Sequence, residues 1–138
     1  MKGVVVCDAM LRLCRLASDI YGSDIERFVV YMAVISAGIS HIQRDPALRA
    51  RYANDAPLPN ELRFGISRRA IAESVGLPRE TVRRKIASLI TSGHVVEEEG
   101  LVKARGPVVD VGRNFEFLVS AMKEFDRAAA ALRRADES

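Results

Sequence analysis

The sequence predicts a mainly α-helical chain that carries one small β-hairpin. Apolar residues recur at helical spacing over most of its length, and capping residues, glycines and prolines punctuate it at intervals of a helix. Short strand-like runs occur only around Glu99-Gly100. The expected organisation is a helical amino-terminal region over 1–60 for dimerisation or sensing, a central module over 61–107, and a last helix over 113–135 that packs or dimerises.

The first helix is expected in "CDAMLRLCRLA", where Met10, Leu11, Leu13, Cys14 and Leu16 make an amphipathic pattern. Ser23 with Glu26 has capping-box spacing and opens a second helix over about 24–43. This helix is apolar almost all round, so one face does not account for its burial. Its apolar part, "FVVYMAVISAGI", reaches about 18 Å as helix, short of the roughly 30 Å of a bilayer core. A buried helix of a soluble protein is therefore expected, with no membrane partner. Asp45-Pro46 ends it, and Pro46 opens a short helix through "ALRARYA". The two prolines and two asparagines of "NDAPLPNEL" mark a linker.

Ser67 is the expected N-cap of "RRAIAESV", Gly76 the turn, and Pro78 the first position of a helix that runs to about Thr91. Ala72 allows the two helices to approach closely, and Ile71, Val75, Leu77, Val82, Ile86 and Leu89 supply a core between them. Gly93 stops the second helix, and "HVVEEEGLVKAR" reads as a hairpin turning at Glu99-Gly100. After Gly106-Pro107 and Gly112, Asn114 is the expected cap of a last helix. Its Phe115, Leu118, Met122, Phe125, Ala129 and Leu132 step by three and four, a heptad seam that needs an apolar partner on the amino-terminal helices of the same or another subunit.

Charge is concentrated rather than abundant. The 138 residues carry a formal net charge of +3, yet the segment 67–91 holds six cations and two carboxylates, a local +4. Cys7 and Cys14 stand about 10 Å apart along one helix and do not bridge, which fits a reduced, cytoplasmic protein. Cys7, Cys14 and His41 follow no familiar zinc spacing, so packed cysteines and a helix-end histidine are expected, with no metal and no cofactor. His94 is expected at a helix end or in the hairpin. The chain shows no nucleophile elbow, Walker loop or catalytic carboxylate pair, which argues against an enzyme. Tyr21, Phe28, Tyr31 and Met32 could line an effector pocket or simply pack in a core, and no ligand is named for them.

The order helix, glycine turn, helix, hairpin is that of a winged helix-turn-helix, flanked here by amino-terminal helices and a carboxy-terminal helix. "AIAESVGLPRETVRRKIASLITSGHVV" resembles the DNA-binding part of bacterial regulators of the Crp/Fnr type, in which an Arg-Glu-Thr-Val-x-Arg run starts the recognition helix. The resemblance covers about 62–106 and implies that Arg79, Glu80 and Arg84 read base edges while Thr81 lies close to the backbone of double-stranded DNA. Chemistry independently suits these roles, since an arginine fork takes guanine O6 and N7 and a glutamate accepts from cytosine N4. Positions 79, 80, 83 and 84 fall on one side of a helix, roughly opposite Val82, Ile86 and Leu89. Ser67, Arg68, Arg69, Arg83, Ser88, Lys103 and Arg105 are expected at phosphates.

This chain departs from the family in three places. Lys85 stands where an apolar residue is usual, so either its stem runs along the core or the helix is rotated slightly. Glu97, Glu98 and Glu99 put three carboxylates near the hairpin tip, which disfavours minor-groove entry. About sixty helical residues replace the family's amino-terminal β-barrel, so the DNA-binding role is carried over and the nucleotide response is not. Regulators of the MarR and GntR types share much of the pattern. The expected function is a bacterial transcription regulator that acts on DNA as a homodimer, with any small-molecule effector unknown. The alternative is a winged-helix scaffold for protein interaction without specific DNA binding.

Overall fold

A computed structural model of the chain describes residues 1–52, 64–105 and 113–137, with the side chains of 113–115 outside the described part. The linker expected in 54–62 and the Gly106-Pro107 and Gly112 breaks lie outside the described residues. The chain is mostly helical with one two-stranded antiparallel hairpin. In order it runs α1 (Lys2–Tyr21), α2 (Ile25–Arg44), α3 (Pro46–Arg51), α4 (Arg68–Val75), α5 (Arg79–Thr91), β1 (Val95–Glu98), β2 (Leu101–Ala104) and α6 (Arg113–Glu137).

Two compact units result, and their boundary differs from the expected division at residue 60. Met1–Ile25 groups with Val111–Ser138, and Glu26–Asp110 forms the second unit. The reason is that α2 finds its partners downstream. The Phe64 N–H donates to the Gly38 carbonyl at 3.1 Å, Tyr31 meets His94 edge-on at 5.1 Å, and Arg27 donates to Ser92 Oγ at 2.7 Å.

In the first unit α1 and α6 pack together. Tyr21 meets Phe117 edge-on at 5.5 Å, and Lys2 pairs with Asp136 at the opposite end, so the two helices run antiparallel. The residues of α6 that become buried are Phe117, Ala121 and Glu124, not the seam expected at Leu118, Met122, Phe125, Ala129 and Leu132. Phe115 of that seam lies outside the described side chains. The small Ala121 permits close helix approach, and Glu124 is accommodated because Arg127 donates to it at 2.5 Å and Arg12 Nε lies at 3.8 Å. Asn114 is not the cap, because α6 begins one residue earlier at Arg113.

α1 is also longer than expected, 20 residues, and Met10 and Leu11 lie exposed on it while Ala17 is buried. Cys7 and Cys14 are exposed free thiols, which corrects the expectation that they pack; they project from the part of α1 turned away from α6. Among the described residues no cluster of histidine, cysteine and carboxylate side chains could hold a metal ion.

In the second unit α2 begins at Ile25, which puts Asp24 rather than Ser23 in the N-cap position. At 20 residues it is long and apolar enough to cross a membrane by length and composition alone, so the twelve-residue length argument does not apply to the helix as folded. Within the protein its Val30, Tyr31, Val34, Gly38 and Ile42 are buried. Asp45 caps α3 by accepting from the Ala47 and Leu48 amides at 3.0 and 3.3 Å, with Pro46 in the first turn. The core of the module that follows consists of Ile71 and Ala72 from α4, Val82, Ile86 and Leu89 from α5, and Val95, Val102 and Ala104 from the hairpin. Ile66 exchanges two 2.8 Å backbone bonds with Val102, adding a short third rung to the hairpin. Gly65 is required beside it, since a Cβ there would stand 2.6 Å from that of Leu101.

Candidate nucleic-acid interface

Local chemistry sets the geometry of α4, the turn and α5. Ser67 Oγ accepts from the Ala70 amide at 3.1 Å and satisfies one of the first orphan N–H groups of α4. Gly76 closes the helix in the left-handed region, φ 71° and ψ 23°, where a side chain would be strained, and its N–H donates to Ala72 at 3.0 Å. Pro78 stands at the N-cap of α5, one position before its expected place, and its fixed φ of −58° directs the chain into the helix.

α5 is held by one strip and displays the other. Val82, Ile86 and Leu89 are buried, while Arg79, Glu80, Arg83, Arg84 and Ser88 are exposed and Thr81 is half-buried. The expected base-reading set, Arg79, Glu80 and Arg84, therefore lies on the solvent side of one helix. Lys85 sits between the strips. Its side chain is 17% exposed and its ammonium reaches 3.7 Å from Glu26 Oε1 on α2. Of the two arrangements open to this lysine, the stem running along the core is the one adopted, and the charged end is drawn out toward a carboxylate.

Ion pairs then divide the cations. Arg83 grips Glu80 with Nη2 at 2.6 Å and Nε at 3.0 Å, and this hydrogen-bonded guanidinium holds the Glu80 carboxyl below its ordinary range. Arg69 lies 3.2 Å from Glu73 one turn on. Arg68 reaches the hairpin, where Glu97 Oε2 accepts from its Nη2 at 2.5 Å and its Nε at 3.1 Å. No ion pair engages Arg79, Arg84, Lys103 or Arg105 among the described residues. Arg79 and Arg84 thus present unspent planar donor forks, suited to bidentate acceptors such as a purine edge or a phosphate.

The hairpin behind them is rigidly specified. Val95 pairs with Ala104 and Glu98 with Leu101, so the turn consists of Glu99 and Gly100, both with positive φ, 53° and 76°. Alternation is kept along β2, where Val102 and Ala104 are buried, whereas in β1 Val95 is buried and Glu97 and Glu98 are both exposed, as is Glu99 in the turn. Lys103 is half-buried and Arg105 exposed at its open end.

At the junction of α5 and the hairpin stands a polar group the sequence did not single out as a unit. Ser92 Oγ and His94 Nδ1 are 2.6 Å apart, and Arg27 Nη2 lies 2.7 Å from the hydroxyl and 3.4 Å from the ring nitrogen. Burial, followed by the Arg27 charge, pushes the His94 imidazole below its ordinary value of 6.5. Sequence spacing carried no signal for it, since Arg27 and Ser92 are 65 residues apart. His41 stacks on Phe64 at 3.9 Å, with both ring nitrogens buried and without a hydrogen-bond partner among the described residues. Tyr21 and Tyr31 have different ring partners, Phe117 and His94. No protein-family model, curated protein or solved structure matches the chain.

Proposed function

We propose that the protein is a transcription regulator that binds double-stranded DNA as a homodimer through a winged helix-turn-helix, with α5 as the recognition helix in the major groove. The observation that carries this reading is the display of Arg79 and Arg84, exposed and unpaired among the described residues, on the face of α5 opposite its buried Val82, Ile86 and Leu89. A groove about 12 Å wide admits one helix, and guanidinium forks are the commonest readers of guanine there. In this reading Arg79, Glu80 and Arg84 specify sequence, and Ser67, Arg68, Arg69, Thr81, Arg83, Ser88, Lys103 and Arg105 position the helix on the backbone. The regulator would work in a bacterial cytoplasm and carry out no catalysis. Two copies would address half-sites about one turn apart on roughly two-fold symmetric DNA.

One observation favours a second reading, a protein-interaction scaffold. The hairpin exposes three carboxylates, and ion pairs already engage Arg68, Arg69 and Arg83. Selection of bound sites from a random duplex pool at moderate salt separates the two. Enrichment of a roughly palindromic site supports the regulator. Absence of enrichment, together with a shallow dependence of binding on salt, overturns it in favour of the scaffold.

A further inference from the structure

The α1/α6 pair is amphipathic as a layer. With 3.6 residues per turn, a quarter turn from the α1-facing strip of α6 leads in one sense to Ser120, Lys123 and Arg127 and in the other to Leu118, Met122 and Phe125. On α1 the corresponding quarter turns lead to Arg12, Arg15 and Asp19 and to Val6 and Met10. Because the helices are antiparallel, like sides of the layer coincide. Arg12, Arg15 and Asp19 accordingly line one shallow groove of about 360 Å³ together with Ser120, Lys123 and Arg127. The opposite side of the same layer then carries Val6 and Met10 beside Leu118, Met122 and Phe125, whose exposures run from 37% to 61%.

We infer that this apolar side, Val6 and Met10 of α1 with Leu118, Met122 and Phe125 of α6, is the surface through which a second copy of the chain docks to make a four-helix bundle. Size fits: α1 is 20 residues, about 30 Å, and two helices side by side span about 20 Å, giving roughly 600 Å² per copy, at the lower end of the standard interface range. Charge fits as well. In a two-fold contact the same patch faces itself, residue i meeting residue j and j meeting i, so a patch dominated by one sign of charge would face like charge while a charge-free apolar patch is self-complementary. The strips through Val6, Met10 and Ala17 and through Leu118, Met122, Phe125 and Ala129 hold no charged residue, whereas the opposite side holds cations from both helices. Two such layers meeting face to face bury what neither buries alone. The inference deepens the two-copy part of the proposed function and rests on that part alone, not on DNA recognition.

The test is sedimentation equilibrium of the full chain without DNA at micromolar concentration. The wild type should have twice the mass of one chain. Met122→Glu and Phe125→Glu, both at exposed positions, should keep the wild-type helical circular dichroism and halve the mass, whereas Lys123→Glu on the charged side should leave it doubled. A wild type of single-chain mass, or doubled mass retained in both apolar-side variants, overturns the proposal. A doubled mass without site selection would reject the DNA reading and leave this interface standing; selection of a site by a protein of single-chain mass would do the reverse.

Discussion

Arg68 on the first turn of α4 holds Glu97 of the hairpin, its Nη2 and Nε donating to one carboxylate oxygen at 2.5 and 3.1 Å. A cation that the proposed function assigns to a phosphate is therefore already neutralised by the protein itself. Any backbone contact by Arg68 must first break this pair, and the freed carboxylate would then repel the duplex. In the proposed DNA-binding reading Glu97 would lower affinity for every sequence alike and so increase the share of binding that base readout must supply.

Replacing Glu97 by Gln should release Arg68. Affinity for any duplex, matched or scrambled, is expected to rise several-fold, and the salt dependence should steepen by about one counterion. Fluorescence anisotropy across a salt series measures both. An unchanged slope would mean that Arg68 never reaches a phosphate.

Arg84→Ala should behave differently. Its exposed fork has no ion-pair partner among the described residues, so its loss is expected to cost about 1–3 kcal/mol on the selected site and to relax preference at one position. Lys103→Ala should weaken matched and scrambled sites equally. Equal losses for Arg84 as well would remove it from the base-reading set.

Stability should fall in mild acid through His94. Its folded pKa is depressed, first by burial and then by the Arg27 charge, so the unfolded chain binds the proton more tightly. Stability from this site is complete above the ordinary value of 6.5 and is lost as pH falls below it toward the folded pKa. The urea midpoint should therefore be lower at pH 5.5 than at pH 7.5, and His94→Gln should flatten that difference. An unaltered difference in the variant would assign it to other groups.

The hairpin turn stores a small strain at Glu99, a non-glycine residue at φ 53° beside Gly100 at φ 76°. Asparagine tolerates this region better, and Asn-Gly is the favoured pair for such a turn, so Glu99→Asn should stabilise by about 0.5–1 kcal/mol. Chemical denaturation reads the gain. Because the substitution also removes one of three tip carboxylates, duplex affinity should rise modestly in parallel.

Signals that act within a few residues were legible in the amino-acid order. Ser67 as a cap, Gly76 as the left-handed stop, the Asp45-Pro46 start of α3 and the Glu99-Gly100 turn each depend on backbone chemistry inside one turn, and each stands where the sequence puts it. The 3.6-residue period likewise identified which strip of α5 is buried, because Val82, Ile86 and Leu89 are apolar and their neighbours are charged.

Relations between distant elements were decided only by the tertiary structure. The period of α6 contains two usable strips, and the sequence favoured the more hydrophobic one; in the folded chain α1 takes Phe117, Ala121 and Glu124, because an alanine admits a close helix and Arg127 offsets the buried carboxylate. The same holds for Lys85, whose partner Glu26 stands on α2, and for Arg68, whose partner is on the hairpin. Local sequence sets dihedrals and faces, while pairing across the chain depends on which surfaces meet, and nothing within one helix encodes that.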